Sequence, residues 1–177
     1  MTTSDIAAAM HRVGSVMRRR PELAIDDDVQ ATACWSGGLR VVTRHASGAQ
    51  VVTDMPTELG GTGDQVSPGW LLRAALASCA VTRITMAAAD AGVELRTLEA
   101  VARSRSDVRG LLGMAAADGT RVSAGPGDVQ LVVRIGAPGI SAERLRALVQ
   151  QSCRYSPVSC AMEDAVPVAL HVEVVAA

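Results

Sequence analysis

SPGWLLRAALASCAVTRITMAAADAG, at residues 67–92, contains the most apolar run of the chain and predicts its central element. Ser67 is a favourable N-cap residue and Pro68 suits the first helical position, so a helix is expected to begin here. It should run to about Ala91, because Gly92 is typical of a helix C-terminus. Apolar residues occupy nearly every face, which predicts a helix that is buried nearly all round.

Three short segments rich in β-branched and apolar residues precede this helix. They are separated by two turns that contain glycine, which predicts an antiparallel meander of three strands at residues 29–35, 39–45 and 49–55. A glycine-rich segment at residues 56–68 joins the meander to the central helix. It lacks the Gly-Lys-Ser/Thr ending of a phosphate loop, so we interpret it as an ordinary connection.

The first part of the chain predicts a separate helix and a linker. Ser4 can cap a helix that runs to about Arg20, with apolar residues at helical spacing, and Pro21 should stop it. We therefore divide the chain into an N-terminal helix and linker at residues 1–27 and a main domain at residues 28–177.

The segments after the central helix alternate between strand and helix patterns. Ser141 and Ser156 are expected to cap two further helices. The predicted elements are strands at residues 95–105 and 128–135, helices at residues 141–154 and 156–164, and a closing strand at residues 166–175. The predicted fold class is α+β, with antiparallel sheets packed around a long buried central helix.

Bulk composition narrows the function classes. The 177 residues carry a net charge of −1, so no basic surface for nucleic acid is expected. Arg73, Arg83 and Asp90 interrupt the apolar run, which argues against a membrane span. No targeting segment is recognisable at the N-terminus, so we expect a cytoplasmic protein. The core contains no Phe, and an obligate partner chain would help its stability.

No two of the four cysteines form a Cys-x-x-Cys pair, and the chain has three histidines. No zinc motif can be written from them, and we predict neither a metal nor a cofactor. In a reducing compartment these thiols are expected to be catalytic or buried rather than disulfide-bonded. Cys34, on a predicted strand, is interpreted as a core residue.

Cys79 lies well inside the central helix, where two interpretations stay open. A thiol buried among apolar neighbours is inert. Arg83, four residues further on, shares its helical face, and a guanidinium there would favour the thiolate. Cys153 and Cys160 flank the junction between the last two helices. They are either packing residues or thiols that a mobile junction could bring towards Cys79.

The segment from Ser67 to Cys79 resembles NPEELLLAALAGC, a signature of the OsmC/Ohr superfamily. Residues 107–110 resemble its D-x-x-G motif, and Ser156-Pro157-Val158-Ser159 is similar to its C-P-V-S motif, which one final strand follows. The loop at residues 54–61 also resembles that of less characterised branches. The resemblance extends over residues 29–175.

This resemblance implies an OsmC-like fold in an intertwined homodimer, with active sites at the subunit interface. Characterised members are thiol peroxidases that reduce organic hydroperoxides. The helix cysteine, here Cys79, attacks the O–O bond and becomes a sulfenic acid, and the cysteine of C-P-V-S then condenses with it. An Arg–Glu pair holds the reactive thiolate.

The chain departs from this pattern at three positions. The second cysteine is replaced by Ser156, the signature Glu by Gly69, and Glu58 stands where an Arg is expected. A peroxidase would therefore use Cys79, with Cys153 or Cys160 as the resolving thiol and Arg83 or Arg154 as the positive charge.

The sequence leaves two further readings open, so whether the chain is an enzyme is undecided at this stage. The first is a one-cysteine peroxidase that an external thiol reduces. The second is a non-peroxidatic member that binds a small apolar ligand at the dimer interface.

Overall fold

The computed structural model describes residues 2–164 and 166–175. The first helix, α1, spans Thr3–Arg19, and a short 3₁₀ turn follows it at Pro21–Ala24. Thr2, and not the expected Ser4, is its N-cap. The Thr2 hydroxyl accepts a hydrogen bond from the Asp5 backbone N–H, and the Asp5 carboxylate accepts one from the Thr2 backbone N–H. This capping box satisfies two backbone N–H groups at the helix start, so the helix begins before the predicted residue.

The predicted meander is confirmed as a three-stranded antiparallel sheet. Its strands pair in sequence order, with Trp35 opposite Val41 and Val42 opposite Val52. They are shorter than predicted and span Thr32–Trp35 (β1), Val41–Arg44 (β2) and Gln50–Thr53 (β3).

The central helix, α2, spans Pro68–Asp90 and is capped as predicted. The Ser67 hydroxyl accepts a hydrogen bond from the Trp70 backbone N–H, and Gly92 follows the helix with a φ of +64°. The predicted burial on all sides is wrong for a single chain. Only one stripe is buried, formed by Leu76, Ala80, Ile84, Ala88 and Ala89, while Leu72, Ala75, Ser78 and Thr82 are exposed.

By length and composition alone, α2 could cross a membrane, since its most apolar window has a mean hydropathy of 1.3. In the structure α1, β4 (Thr97–Arg105) and α4 (Ala142–Cys153) pack along it, as elements pack along a core helix.

The second sheet pairs β4 with β5 (Gly127–Gly136) in antiparallel register. A short helix, α3 (Val108–Leu111), follows β4 and is capped by Asp107. Beyond β5, Ser141 caps α4 as predicted, and α5 spans Pro157–Glu163. A small core joins α2, β5 and α4 through Ala88, Val93, Ile135, Leu145 and Leu148.

The predicted closing strand is absent from residues 166–175, which form no strand and are exposed. A strand needs a neighbour for its backbone hydrogen bonds, and among the described residues the second sheet consists of β4 and β5 only. A single chain therefore leaves this segment without a partner.

Candidate active site around Cys79

Cys79 and Ser156 meet where α2 packs against the junction of α4 and α5. Cys79 is half-buried, and Ser156 is fully buried. The Ser156 hydroxyl donates a hydrogen bond to Cys79 Sγ at 3.1 Å. This contact is the only polar side-chain partner of the sulfur among the described residues, and it makes Cys79 the centre of the candidate site.

The Ser156 hydroxyl can donate its hydrogen bond to Cys79 because it does not cap α5. Ser156 occupies the N-cap position of α5 with extended backbone angles, but its side chain makes no capping hydrogen bond. The sequence prediction was therefore correct for the position and wrong for the role of the hydroxyl. The backbone is held instead, since Ser156 N donates to Cys153 O at 3.1 Å and Cys160 N donates to Ser156 O at 2.9 Å.

Arg83 follows Cys79 by one helical turn, yet its guanidinium makes no hydrogen bond to the sulfur in the described structure. Its Nη1 lies 3.7 Å from Met86 Sδ. Its Nε is buried and has no hydrogen-bond partner among the described residues. The side chain lines a cavity of about 390 Å³ between α1, α2 and α4. The Arg83 guanidinium therefore lies at this cavity and is not hydrogen-bonded to Cys79 Sγ in the described structure.

None of the other three thiols is hydrogen-bonded or disulfide-bonded to Cys79 in the described structure. Cys153 lines a cavity of about 970 Å³ beside β5, and burial, with a smaller contribution from Glu163, raises the pKa of its thiol. Cys160 Sγ donates to Arg154 O at 3.3 Å. Cys34, expected in the core, is exposed, because no element covers either face of β1 in a single chain and all four of its residues are exposed.

The beginning of α2 carries charged groups that sequence reasoning did not single out. Arg73 Nη1 donates to Ser104 Oγ on β4 at 3.3 Å. Arg73 also lines, with Glu58, Ser67 and Trp70, a cavity of about 440 Å³. The signature position Gly69 is exposed and supplies no carboxylate there.

A polar cluster shapes the loop before α2. Asp54 is buried and accepts hydrogen bonds from the Thr62 hydroxyl at 2.6 Å and from Arg40 Nη2 at 3.4 Å. Arg40 also pairs with Asp64, and the Thr62 hydroxyl and Arg40 hold the pKa of Asp64 at about 2. The Thr62 hydroxyl lies within hydrogen-bond distance of both carboxylates, and its contact with Asp54 Oδ2, together with the Met55 backbone N–H, lowers the pKa of Asp54. The Asp54-x-Pro-x-x-x-Gly-Gly pattern was the only sequence signal for this cluster.

This geometry supports thiol chemistry. A half-buried sulfur with a hydroxyl donor beside it can be stabilised as a thiolate or as an oxidised sulfur species. Within residues 2–164 and 166–175, no group of three or more His, Cys, Asp or Glu side chains is placed to hold a metal ion.

Comparison with known proteins shows the family and the fold of the chain. The family model of OsmC-like proteins matches residues 61–171. An OsmC-like protein from Mycoplasma pneumoniae superposes with a TM-score of 0.64 at 15% identity, over 78% of this chain and 89% of that chain. An organic hydroperoxide resistance protein from Legionella pneumophila gives 0.55 at 20% identity, over 77% and 91% of the two chains.

A third similar structure is an organic hydroperoxide resistance protein from Elizabethkingia anophelis, solved with thiocyanate bound. Its TM-score is 0.56 at 19% identity, over 78% of this chain and 89% of that chain. No curated protein sequence matches the chain. At these identities the likeness to solved structures concerns the fold.

Proposed function

The chain belongs to the OsmC-like protein family, and on that premise we propose that it reduces organic hydroperoxides at Cys79 with an external thiol as reductant. The observation that carries this proposal is the hydrogen bond from the Ser156 hydroxyl to Cys79 Sγ. It gives the sulfur a buried hydrogen-bond donor that can stabilise negative charge on it. Two similar structures are of proteins named for organic hydroperoxide resistance.

The first step is a two-electron transfer of oxygen. The Cys79 thiolate attacks one oxygen of the hydroperoxide, the O–O bond breaks, and the other oxygen leaves as an alkoxide that takes up a proton to give the alcohol. The sulfur is oxidised to a sulfenic acid, and the peroxide is reduced. Ser156 can donate its hydrogen bond to the thiolate before the attack and to the sulfenic oxygen or sulfur after it.

The second step restores the thiol. Ser156 stands where relatives of the characterised branch carry a second cysteine, so no thiol is in contact with the Cys79 sulfur. The raised pKa of Cys153 keeps that group as a thiol, which is a poor nucleophile. An external thiol would therefore attack the sulfenic acid, release water and form a mixed disulfide. A second external thiol then frees Cys79.

We propose a homodimer as the working form. A single chain exposes apolar groups on both sheets and on α2, among them Trp35 at 76% and Leu72 at 37%. The exposed stripe of α2 at Leu72, Ala75 and Thr82 is suited to packing against another helix. Residues 166–175 would find in a second copy the strand neighbour that they lack in one chain.

A second candidate function is the binding of a small apolar molecule without chemistry at Cys79. The observation that favours it is the cavity of about 970 Å³, which alternate residues of β5, Val129, Leu131, Val133 and Ile135, line together with Leu76. Its size suits a small-molecule site. The alternative stands if Cys79 proves inert.

The test is the consumption of cumene hydroperoxide by the reduced protein with dithiothreitol as the external thiol. We expect turnover that Cys79→Ser abolishes. Cys34→Ser is the matched control, because it removes an exposed thiol away from the Cys79–Ser156 contact, and it should leave turnover unchanged. Equal turnover by wild type and Cys79→Ser would overturn the peroxidase proposal and leave the binding function.

A further inference from the structure

We propose that the cavity between α1, α2 and α4 binds a short-chain carboxylate, with Arg83 and Arg144 as the residues that hold its charged end. The cavity has a volume of about 390 Å³. It is separate from the Cys79–Ser156 contact, and the proposal stands whether or not Cys79 reduces peroxides.

Arg83 supplies the first observation. Its Nε is buried and has no hydrogen-bond partner in the described part of the chain. In the described structure, the one hydrogen-bond contact of the guanidinium is with the Met86 sulfur, 3.7 Å from Nη1. A thioether is a weak acceptor, so a buried cationic donor is left without an adequate acceptor. An anion inside the cavity would supply one.

Arg144 supplies the second observation. It lies in the first turn of α4, and its side chain lines the same cavity. Within residues 2–164 and 166–175, no carboxylate lies within ion-pair distance of its guanidinium. Two guanidiniums from two helices thus face one space, which favours an anion over a neutral or cationic ligand.

Asp90 is the one carboxylate in the lining, and it is already paired. Its Oδ1 lies 2.8 Å from His11 Nε2 on α1. This contact lies between α1 and α2, and the two guanidiniums of the lining outnumber its one carboxylate. It also ties α1 to α2, so that Met10 of α1 becomes part of the wall.

The remaining walls indicate what the anion is attached to. Apart from the two arginines and Asp90, the lining has five apolar residues, Met10, Ala87, Ala91, Ala147 and Leu148, and three polar ones, Gln151, Ser152 and Tyr155. A volume of about 390 Å³ lies near the lower end of small-molecule sites. A planar carboxylate matches the fork of a guanidinium, and a short hydrocarbon tail matches the apolar walls. A small organic acid has both an anionic group and a hydrocarbon tail, whereas inorganic phosphate has the negative charge but no tail.

Isothermal titration calorimetry with sodium hexanoate tests the proposal on the full chain. We expect saturable binding to the wild type and to Cys79→Ser, and none of hexan-1-ol, which has the tail without the charge. Arg83→Met and Arg144→Met should each weaken hexanoate binding by about tenfold or more, because each removes a hydrogen bond to a charged group. Both keep an unbranched apolar side chain of similar length.

Arg103→Met is the matched control. Arg103 is exposed on β4 and does not line this cavity, so its loss should change hexanoate affinity by less than about twofold. Far-UV circular dichroism checks that each variant folds, and Arg144→Met is the safer variant because Arg144 is exposed. Three outcomes would overturn the site: no saturable binding of hexanoate, equal weakening by Arg144→Met and Arg103→Met, or tighter binding of inorganic phosphate than of hexanoate.

Discussion

The hydroxyl of Ser156 lies 3.1 Å from the sulfur of Cys79, although the two residues are 77 positions apart in the chain. The contact brings the middle of α2 against the α4–α5 junction, and Ser156 is completely buried there. A serine at this position cannot form a disulfide with Cys79, but it can donate a hydrogen bond to it. The resemblance to the C-P-V-S motif implies a second cysteine at this position, and in this chain the position carries a hydrogen-bond donor instead.

Ser156→Ala should slow the reactions of Cys79. A hydrogen bond to a charged group contributes about 1.5–3 kcal/mol, so its loss should slow the reaction of Cys79 at neutral pH by about tenfold or more. The measurement is the rate of iodoacetamide alkylation of Cys79, followed by mass spectrometry over a pH series. Ser78→Ala is the control, because the Ser78 hydroxyl donates to Ala75 O on the exposed face of α2. Equal rates in Ser156→Ala and wild type would contradict the assigned role.

Ser156→Cys should create an oxidisable pair. The present oxygen–sulfur separation of 3.1 Å places a new thiol within reach of Cys79 with a small side-chain rotation. On treatment with cumene hydroperoxide under anaerobic conditions, this variant should lose two free thiols per chain. The thiol count is made with a chromogenic disulfide reagent in denaturant, and intact-mass spectrometry should record the loss of two hydrogens. Cys79→Ser combined with Ser156→Cys should form no such bond.

Thr62→Val should flatten the acid dependence of stability. The folded-state pKa of Asp64 is about 2, against an ordinary value of 3.8, and that of Asp54 is also lowered. Between pH 4 and 2 the folded chain binds fewer protons at these groups than the unfolded chain, so stability falls as pH falls. Urea unfolding at each pH measures the free energy of unfolding. The variant should be less stable at pH 7 and lose less on acidification, whereas Thr43→Val, on β2, should keep the wild-type slope.

Gly61→Ala should destabilise the fold by about 2–3 kcal/mol, the upper part of the range for overpacking. A Cβ at this position would lie 1.8 Å from Met55 O and 2.8 Å from Asp54 Oδ1, so the backbone of the loop must shift. Gly127→Ala is the matched control, since nothing lies within 4 Å of its Cβ position and its φ is not positive. Thermal and urea unfolding should separate the two variants clearly. Equal stability would mean that the loop at Gly61 yields without cost.

The chain should sediment as a dimer at micromolar concentration, and Ala75→Arg should shift it towards monomer. Ala75 lies on the exposed stripe of α2, where a charged side chain would be buried by a second helix. Ala117→Arg, on an exposed turn, should not change the sedimentation coefficient. Analytical ultracentrifugation makes the measurement. A wild-type chain that sediments as a monomer over the whole concentration range would exclude the homodimer.

Most of the fold could be predicted from local sequence signals. Ser67, Gly92 and Ser141 act on their own neighbours in the chain, and the boundaries that they predict for α2 and α4 are confirmed. The meander was predictable because its turns are short and local. The closing strand was not, because strand formation depends on a partner for backbone hydrogen bonds, which residues 166–175 lack within one chain.

The site was predictable only in part. Cys79 could be placed on α2 from the resemblance, but the direction of Ser156 depends on how α5 packs against α2, which no local pattern encodes. Arg83 illustrates the same limit. Its spacing of four residues from Cys79 suggested a shared face, whereas its long side chain lines the cavity between α1, α2 and α4. The environment of a flexible cation is decided by tertiary packing.

The unpaired segment at residues 166–175 ties the solubility of the chain to its assembly. Every second side chain is a valine or leucine, at Val166, Val168, Leu170, Val172 and Val174, and the least exposed of them is still 62% exposed. Identical segments of this kind can stack on one another in cross-β fashion. Pro167 lacks an N–H and Glu173 adds charge, so both oppose stacking. Replacing these two residues should therefore raise the tendency of a dissociated chain to aggregate.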